Sequence, residues 1–458
     1  MTYSEAGALL ARHGQEHVLA SWDTLTRDAQ AALLKQIDSL DFTTLAAMKA
    51  ILAQPPAAPS DPEPGAALSP APAERRAAAE HGAAALRQGK VGVILVAGGQ
   101  GTRLGFDGPK GTYAIGPLSR ASLFEIHARK IAALERRFGA DVPFYIMTSE
   151  INDAATRAFF HDHGNFGLSA ARVKFFIQGM LPALFPDGRL VMETAGRLFM
   201  GPDGHGGILQ ALQRTGMLQD MRQRGLDTLF YFQVDNPLVE IADPAFLGLH
   251  RDRQAQFSLK VCAKRDPAEG LGVIARRGTS GLAIVEYTEL TPEQKAARTP
   301  GGDLQFKFGS VAIHIFSLDF LTATAKAGLP LHTAHKKVPC FDGGRIIAPD
   351  KPNVFKFEKF IFDALPLAER ALALEFDRAE EFSPVKNATG SDSPDTTRRD
   401  ISRKFARWLD AGGIRVPRNE AGDPAFFIEI DPRYASCPED LKRRLPKGFA
   451  VTGDTWLR

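Results

Sequence analysis

The sequence predicts an α/β protein: a doubly wound, mostly parallel sheet with a helical N-terminal region and a small C-terminal domain. Three observations carry this. From Val91 onward, apolar runs alternate with amphipathic segments, the signature of strands joined by helices. The run 91–97, "VGVILVA", is apolar at successive positions, as a strand covered on both faces must be. A glycine-rich loop comes directly after it, where parallel sheets bind ligands at the carboxyl ends of their strands.

Residues 1–53 read as amphipathic helices, with "EHVLASWDTL" and "DAQAALLKQIDSL" repeating apolar residues at three- and four-residue spacing. The stretch 54–73 is crowded with prolines, which suit neither a helix interior nor a central strand, and reads as a stiff, exposed connection. A helix stopped by Gly89 completes an N-terminal region, 1–90. A catalytic domain is expected over 91–389. In it, "SLFEIHARKIAALERRFG" is a helix with Ser122 at its N-cap, Glu125 completing a capping box and Gly139 past its end. "PFYIMTS", "VKFFIQ" and "TLFYFQVDNP" are further strands, with "NDAATRAFFHDHG" a helix among them. Residues 257–320 are strand-rich and predict an antiparallel extension of the sheet. Residues 390–458 read as a small C-terminal α/β domain, with a helix in "RRDISRKFARWLDAGG" and a strand in "PAFFIEIDP".

Composition narrows the function classes. The chain has 458 residues, enough for two or three domains, with 44% hydrophobic and 24% charged residues, ordinary for a soluble globular protein. A net charge of +3 is too balanced for a dedicated nucleic-acid binder. The longest apolar run, Val91–Ala97, is too short to span a bilayer, so no membrane partner is expected. An acidic residue stands near the N-terminus where a signal peptide would be basic. Cys262, Cys340 and Cys437 are widely spaced, which fits a reducing cytoplasm and argues against structural zinc.

The glycine loop, "VILVAGGQGTRLGFDGPKG" (93–111), carries the chemistry. Gly98, Gly99, Gly101 and Gly105 leave amides bare for close approach by an anion, and Arg103 and Lys110 add positive charge. That combination suits a polyphosphate. The dinucleotide fingerprint is excluded by the spacing Gly99-x-Gly101-x-x-x-Gly105, and the P-loop by Pro109 and Gly111 around Lys110. Asp235 ends a strongly apolar strand in "FYFQVDNP", where it would hold a hard cation against phosphate oxygens or cap the next helix. There is no G-x-S-x-G and no H-E-x-x-H.

"LVAGGQGTRLGFDGPKGTYAIG" resembles the signature of UDP-N-acetylhexosamine pyrophosphorylases, within the UTP:sugar-1-phosphate uridylyltransferases. "IMTSEINDAATRAFFHDHGNFGL", "FFIQGMLPAL", "PDGHGGI", "VDNPLVEIADPAFLG", "LGVI", "VEYTEL", "FEKFIFDAL" and "EEFSPVKNA" come in the family's order, covering roughly 91–390. The resemblance implies a Rossmann-like, GT-A-like nucleotidyltransferase sheet. It also implies a Mg²⁺-assisted reaction in which a sugar 1-phosphate attacks the α-phosphate of UTP, leaving UDP-sugar and pyrophosphate. By the same resemblance, Arg103, Lys110 and Lys386 handle phosphates and Asp235 holds the metal. Gly98, Gly99, Gly101, Gln178, Gly206 and Gly207 bind the nucleotide, while Asn236, Gly272, Glu286, Tyr287, Ser310, Phe360 and Phe362 attend the sugar. Taken alone, Lys386 reads equally as a loop lysine, and Phe360 and Phe362 as core. His205 stands where the family more often has asparagine, and no catalytic role is expected of it. Ser310 replaces the family's sugar-contacting asparagine. N-acetylglucosamine 1-phosphate is the expected substrate, with glucose or galactose 1-phosphate the alternative. A monomer or weak oligomer is expected.

Overall fold

A computed structural model describes residues 1–54, 61–277 and 281–458. Its contacts divide the chain into two compact units. One joins the N-terminal segment with Gln178–Gln210 and Gly328–Asp363; the other comprises Asp61–Ile177, Ala211–Ala327 and Ala364–Arg458.

The second unit is built on a ten-stranded mixed sheet. In chain order its strands are β1 (Glu63–Pro64), β2 (Val91–Val96), β3 (Phe144–Thr148), β4 (Val173–Ile177), β5 (Thr228–Gln233), β6 (Phe257–Ala263), β7 (Val273–Arg276), β8 (Leu282–Val285), β9 (Phe308–Ser317) and β10 (Ala371–Glu375). β5, β2, β3 and β4 lie side by side and parallel. Val91–Leu95, Phe144–Thr148 and Thr228–Phe232 are buried at every position, so both faces of this central part are covered. β9 runs antiparallel to β5 and to β6, and β7 pairs antiparallel with β8 and β9, which is the antiparallel extension. β10 is an addition that the sequence pattern does not announce: it pairs parallel with β6.

The helix Leu123–Phe138 starts and stops where its sequence says. Ser122 Oγ accepts from Glu125 N at 3.1 Å, and Gly139 takes the left-handed conformation at φ 64°. The reciprocal half of the expected capping box is absent, because the Glu125 carboxylate pairs with Arg129 instead.

The proline-rich stretch departs from expectation. Residues 55–60 lie outside the described residues, but the chain from Asp61 to Leu68 is not a free connection. Glu63–Pro64 forms an edge strand on β7, Gly65 N donates to Ile274 O, and Leu68 exchanges backbone bonds with Ala373 and Glu375. Proline tolerates an edge because its missing N–H can face away from the ladder. Beyond 390, the helix Pro394–Ala411 and the parallel strands Ile428–Ile430 and Thr455–Leu457 enclose their own apolar cluster around Leu409, Ile428 and Leu441.

The first unit packs helices Tyr3–Arg12, Arg27–Asp38 and Phe42–Ala53 against short strands from 180–202 and 332–358. "EHVLASWDTL" forms two 3₁₀ turns rather than an α-helix. Gln15 is fully buried and binds Gly188 O (3.0 Å) and Leu190 N (2.7 Å). Among the described residues, no helix is long and apolar enough to cross a membrane.

Candidate active site

The glycine loop leaves β2 and folds back on itself. Gly101 N donates to Gly108 O at 3.0 Å, and Lys110 N to Gly99 O at 3.1 Å. Thr102–Leu104 makes one 3₁₀ turn between them. Bare backbone is required here: Gly105 sits at φ 66°, and a Cβ on Gly101 would lie 2.6 Å from the Phe106 ring. Gly99 is exposed and faces open space, so its backbone is approachable. Arg103 is exposed and has no ion-pair partner among the described residues.

Sequence reasoning missed the residue that pins this loop. Asn152 is fully buried just beyond β3, and its Nδ2 donates to Ala97 O (2.9 Å) and Gly99 O (3.3 Å) while its Oδ1 accepts from Ser149 N (2.8 Å). The only signal was an asparagine shortly after a buried strand, which reads equally as a helix cap.

Lys110 and Asp235 meet. Lys110 Nζ lies 3.3 Å from Asp235 Oδ2, with both side chains about five-sixths buried, at 16% and 14% exposure. Asp235 stands just past the end of β5, and its carbonyl accepts from Val385 N at 2.9 Å. Lys386 is therefore delivered next to Asp235 by the backbone; its Nζ lies 5.8 Å from the centre of the Phe382 ring. Asn236, 4% exposed, commits its carboxamide to backbone groups of Leu238, Glu381 and Ser383.

Three of the expected sugar residues converge where β7, β8 and β9 meet. Ser310 N donates to Gly272 O at 2.8 Å. A Cβ on Gly272 would lie 3.2 Å from Glu286 Oε1. Tyr287 is 41% exposed and lies over Gly270.

The first unit gathers the others. Gln178 Nε2 donates to Gly204 O at 3.0 Å. Gly206 N donates to Lys359 O, and Lys359 N to Asp203 O, each at 2.8 Å. A Cβ on Gly206 would stand 2.7 Å from the Phe360 backbone, and one on Gly207 2.0 Å from the Asp203 carboxylate. Gly206 is thus required by packing against 359–360, and Gly207 by the turn that brings the Asp203 carboxylate over it. His205 is a rung of the same ladder. Its Nδ1 accepts from Ile361 N at 3.1 Å, and its ring stacks on Phe360 (5.4 Å) and meets Phe362 (5.7 Å). Burial, and then the charge of His332, push the imidazole down to about 4, so it stays neutral and able to accept. Such a role leaves no trace in sequence, because the backbone amide it serves is far away along the chain.

Among the described residues, one acidic group has metal-binding geometry: Glu240, Asp243 and Glu381. The Lys260 ammonium already sits in it, 2.9 Å from Asp243 and 2.6 Å from Glu381, so the cation held there is the protein's own.

A family model described as UTP–glucose-1-phosphate uridylyltransferase matches residues 71–392. The human UDP-N-acetylhexosamine pyrophosphorylase-like protein 1 is 38% identical over 95% of this chain and 93% of its own length. The UDP-N-acetylglucosamine pyrophosphorylase of Saccharomyces cerevisiae is 35% identical over 97% and 98%. The crystal structure of the Trypanosoma brucei uridine diphosphate N-acetylglucosamine pyrophosphorylase, solved with an inhibitor, superposes with a TM-score of 0.84 at 27% identity, covering 100% of this chain and 99% of that one. With that sheet, that glycine loop and these matches along nearly its whole length, the chain belongs to the UTP–glucose-1-phosphate uridylyltransferase family and is a nucleotidyltransferase of the pyrophosphorylase type.

Proposed function

We propose that this chain joins UTP to N-acetylglucosamine 1-phosphate, releasing UDP-N-acetylglucosamine and pyrophosphate. The relatives' names support the substrate. The observation that carries the site is the folded-back glycine loop, which brings Lys110 within 3.3 Å of Asp235 and leaves Arg103 exposed. A sheet covered on both faces at its centre supports the doubly wound nucleotidyltransferase reading, with the nucleotide at the carboxyl ends of β2 and β5.

The reaction needs no protein nucleophile. A phosphate oxygen of the sugar phosphate attacks the α-phosphorus of UTP in line, and the bond to the β-phosphate oxygen breaks. The obstacle is charge: two anions about 4 Å apart repel by roughly 4 kcal/mol per charge pair at an effective dielectric near 20. Positioned cations lower that barrier. Arg103 and the amides at Gly98, Gly99 and Gly101 would take the departing pyrophosphate. Lys110 and Lys386 would take the α-phosphate and the incoming phosphate. The donor set fits Mg²⁺, which commonly binds one or two carboxylates and leaves its other positions to phosphates and water. Asp235 would hold it, and the ion would supply charge neutralisation at the reacting phosphates.

Gln178, Gly206 and Gly207 are assigned to uridine, and Gly272, Glu286, Tyr287, Ser310, Phe360 and Phe362 to the sugar. Ser310 is shorter than the asparagine of the family pattern, and a missing polar contact lowers discrimination. The free cysteines Cys262, Cys340 and Cys437 fit a reducing compartment, and the cytoplasm is proposed.

The test is pyrophosphate release from UTP and Mg²⁺ with the 1-phosphates of N-acetylglucosamine, N-acetylgalactosamine, glucose and galactose. N-acetylglucosamine 1-phosphate should give the highest kcat/KM. A higher value with glucose 1-phosphate overturns the substrate assignment, and no release with any sugar overturns the function.

A further inference from the structure

Asp235 and Lys386 come from distant parts of the chain, and a short ladder fixes one against the other. Val385 N donates to Asp235 O at 2.9 Å. Ser383 N donates to Asn236 Oδ1 at 3.1 Å, and Asn236 Nδ2 donates to Glu381 O at 2.7 Å. Leu238 N adds a longer bond to the same Oδ1 at 3.3 Å. Asn236 thus reads both strands of the ladder with one buried carboxamide, and each of its polar atoms is engaged.

The ladder rests on a buried ionic base. Lys260, on β6, is fully buried, with Nζ 2.9 Å from Asp243 Oδ2 and 2.6 and 2.7 Å from the Glu381 oxygens. Asp243 also caps the helix Pro244–Asp252 through Ala245 N. Lys130 donates to Pro237 O (2.5 Å) and Val239 O (2.7 Å), and Lys404 to Leu238 O (3.3 Å). The segment after Asp235 is therefore gripped from three elements. A buried ammonium with two carboxylates holds its partners in one arrangement, since any separation leaves a charge without water or a partner.

We infer that Asn236 is a positioning residue of the phosphate-handling site: it sets the placement of Lys386 relative to Asp235, rather than contacting the sugar as the family resemblance suggests. This rests on the proposed roles of Asp235 and Lys386. Misplacement of a charged group by about 1 Å costs on the order of a hundredfold in rate. Loss of one rung of a braced ladder should cost less, about tenfold.

The experiment is a double-mutant cycle on the full chain, with kcat, KM for sugar 1-phosphate and Mg²⁺ half-saturation as readouts. Asn236→Ala should lower kcat about tenfold and raise Mg²⁺ half-saturation, with little change in KM for the sugar phosphate. In a Lys386→Ala background, the same substitution should change kcat less than about twofold, because the group it positions is gone. Additive effects in the cycle overturn the inference. So does a rise confined to KM for the sugar phosphate, which would mark Asn236 as a sugar contact. Wild-type rates in Asp235→Asn and Lys386→Ala would overturn the reading of the site itself, and this inference with it. If Asn236→Ala does not accumulate as folded protein, Asn236→Asp supplies the arm: it keeps both acceptor bonds, sets an oxygen against Glu381 O, and should show the same non-additivity.

Discussion

Gly111 shows how an absent side chain places a charge. The Phe124 ring occupies the space where a Cβ would stand, 2.2 Å away, so the backbone carrying Lys110 lies directly on a core aromatic. Gly111→Ala must push one of them aside, and Phe124 has little room, being fully buried and packed against Phe160. We expect kcat/KM in the pyrophosphate-release assay to fall by on the order of tenfold or more, from a displacement of Lys110. An unchanged value would show that the Lys110 position tolerates backbone movement. Asp235→Asn tests a different property, since the amide keeps the shape and loses the charge. The carboxylate's hydrogen-bond partner is Lys110, so the fold should survive. Loss of a preorganised charge at the reacting phosphates should lower kcat by roughly 10²–10³. Lys110, Arg103 and Asp235 stand out in the sequence as candidates because charged residues in a glycine frame or at the tip of a buried strand are chemically unusual. Asn152 and His205 do not, because each acts on a backbone group whose position only the folded chain defines.

The element scale explains why the loop after Asp235 can be so firmly held. The helices Pro72–Arg87 and Pro244–Asp252 cross with almost no gap: a Cβ on Gly82 would lie 1.9 Å from Pro244 O, and one on Gly248 1.7 Å from Ala78 O. Asp243, the N-cap of the second helix, is also a partner of Lys260, so the crossing and the buried ion cluster support the same segment. Gly248→Ala forces the helices apart, and overpacking of this kind costs about 1–3 kcal/mol or more. The expected result is a clear fall in the urea midpoint, with a parallel loss of activity through the Asp243 end. A midpoint within error of the wild type would mean that the two helices are not in contact at this point. Strands β2, β3 and β5 and the helix Leu123–Phe138 could be read locally, since apolar runs and caps are properties of neighbours in sequence. The edge pairing of Glu63–Pro64 and the union of the N-terminal helices with 178–210 and 328–363 could not. Those depend on long-range pairing, and a short proline-rich or irregular segment has no period to reveal it.

Across the whole molecule, the buried titratable groups predict how stability varies with pH. Among the described residues, burial holds the imidazoles of His127, His250 and His205 neutral. His127 is pushed down to about 3, with Lys130 adding to the effect; His250 to about 3, with Arg251 adding; and His205 to about 4, with His332 adding. In the unfolded chain each titrates near 6.5. The native state therefore declines protons that the unfolded state accepts, and the stability present above about pH 6.5 is lost as pH falls toward the folded values. Glu240 works the other way: burial, and then Asp243 and Glu381, raise its carboxyl, so the native state takes up a proton before the unfolded chain does. Of these four groups, three histidines gain a proton on unfolding against one carboxyl that gives its proton up, so together they favour net proton uptake near pH 5.5 and a stability that slopes downward as pH falls. Urea unfolding at pH 7, 6 and 5 should show the midpoint falling steeply over the last interval, well above the range where ordinary carboxylates titrate. His205→Asn, which keeps an acceptor for Ile361 N but carries no titrating ring, should remove about 1.4 kcal/mol per pH unit of that slope. A flat profile between pH 6.5 and 5, or a His205→Asn variant with the full wild-type slope, would show that this imidazole takes up protons in the folded protein and does not serve as a fixed acceptor beneath Phe360 and Phe362.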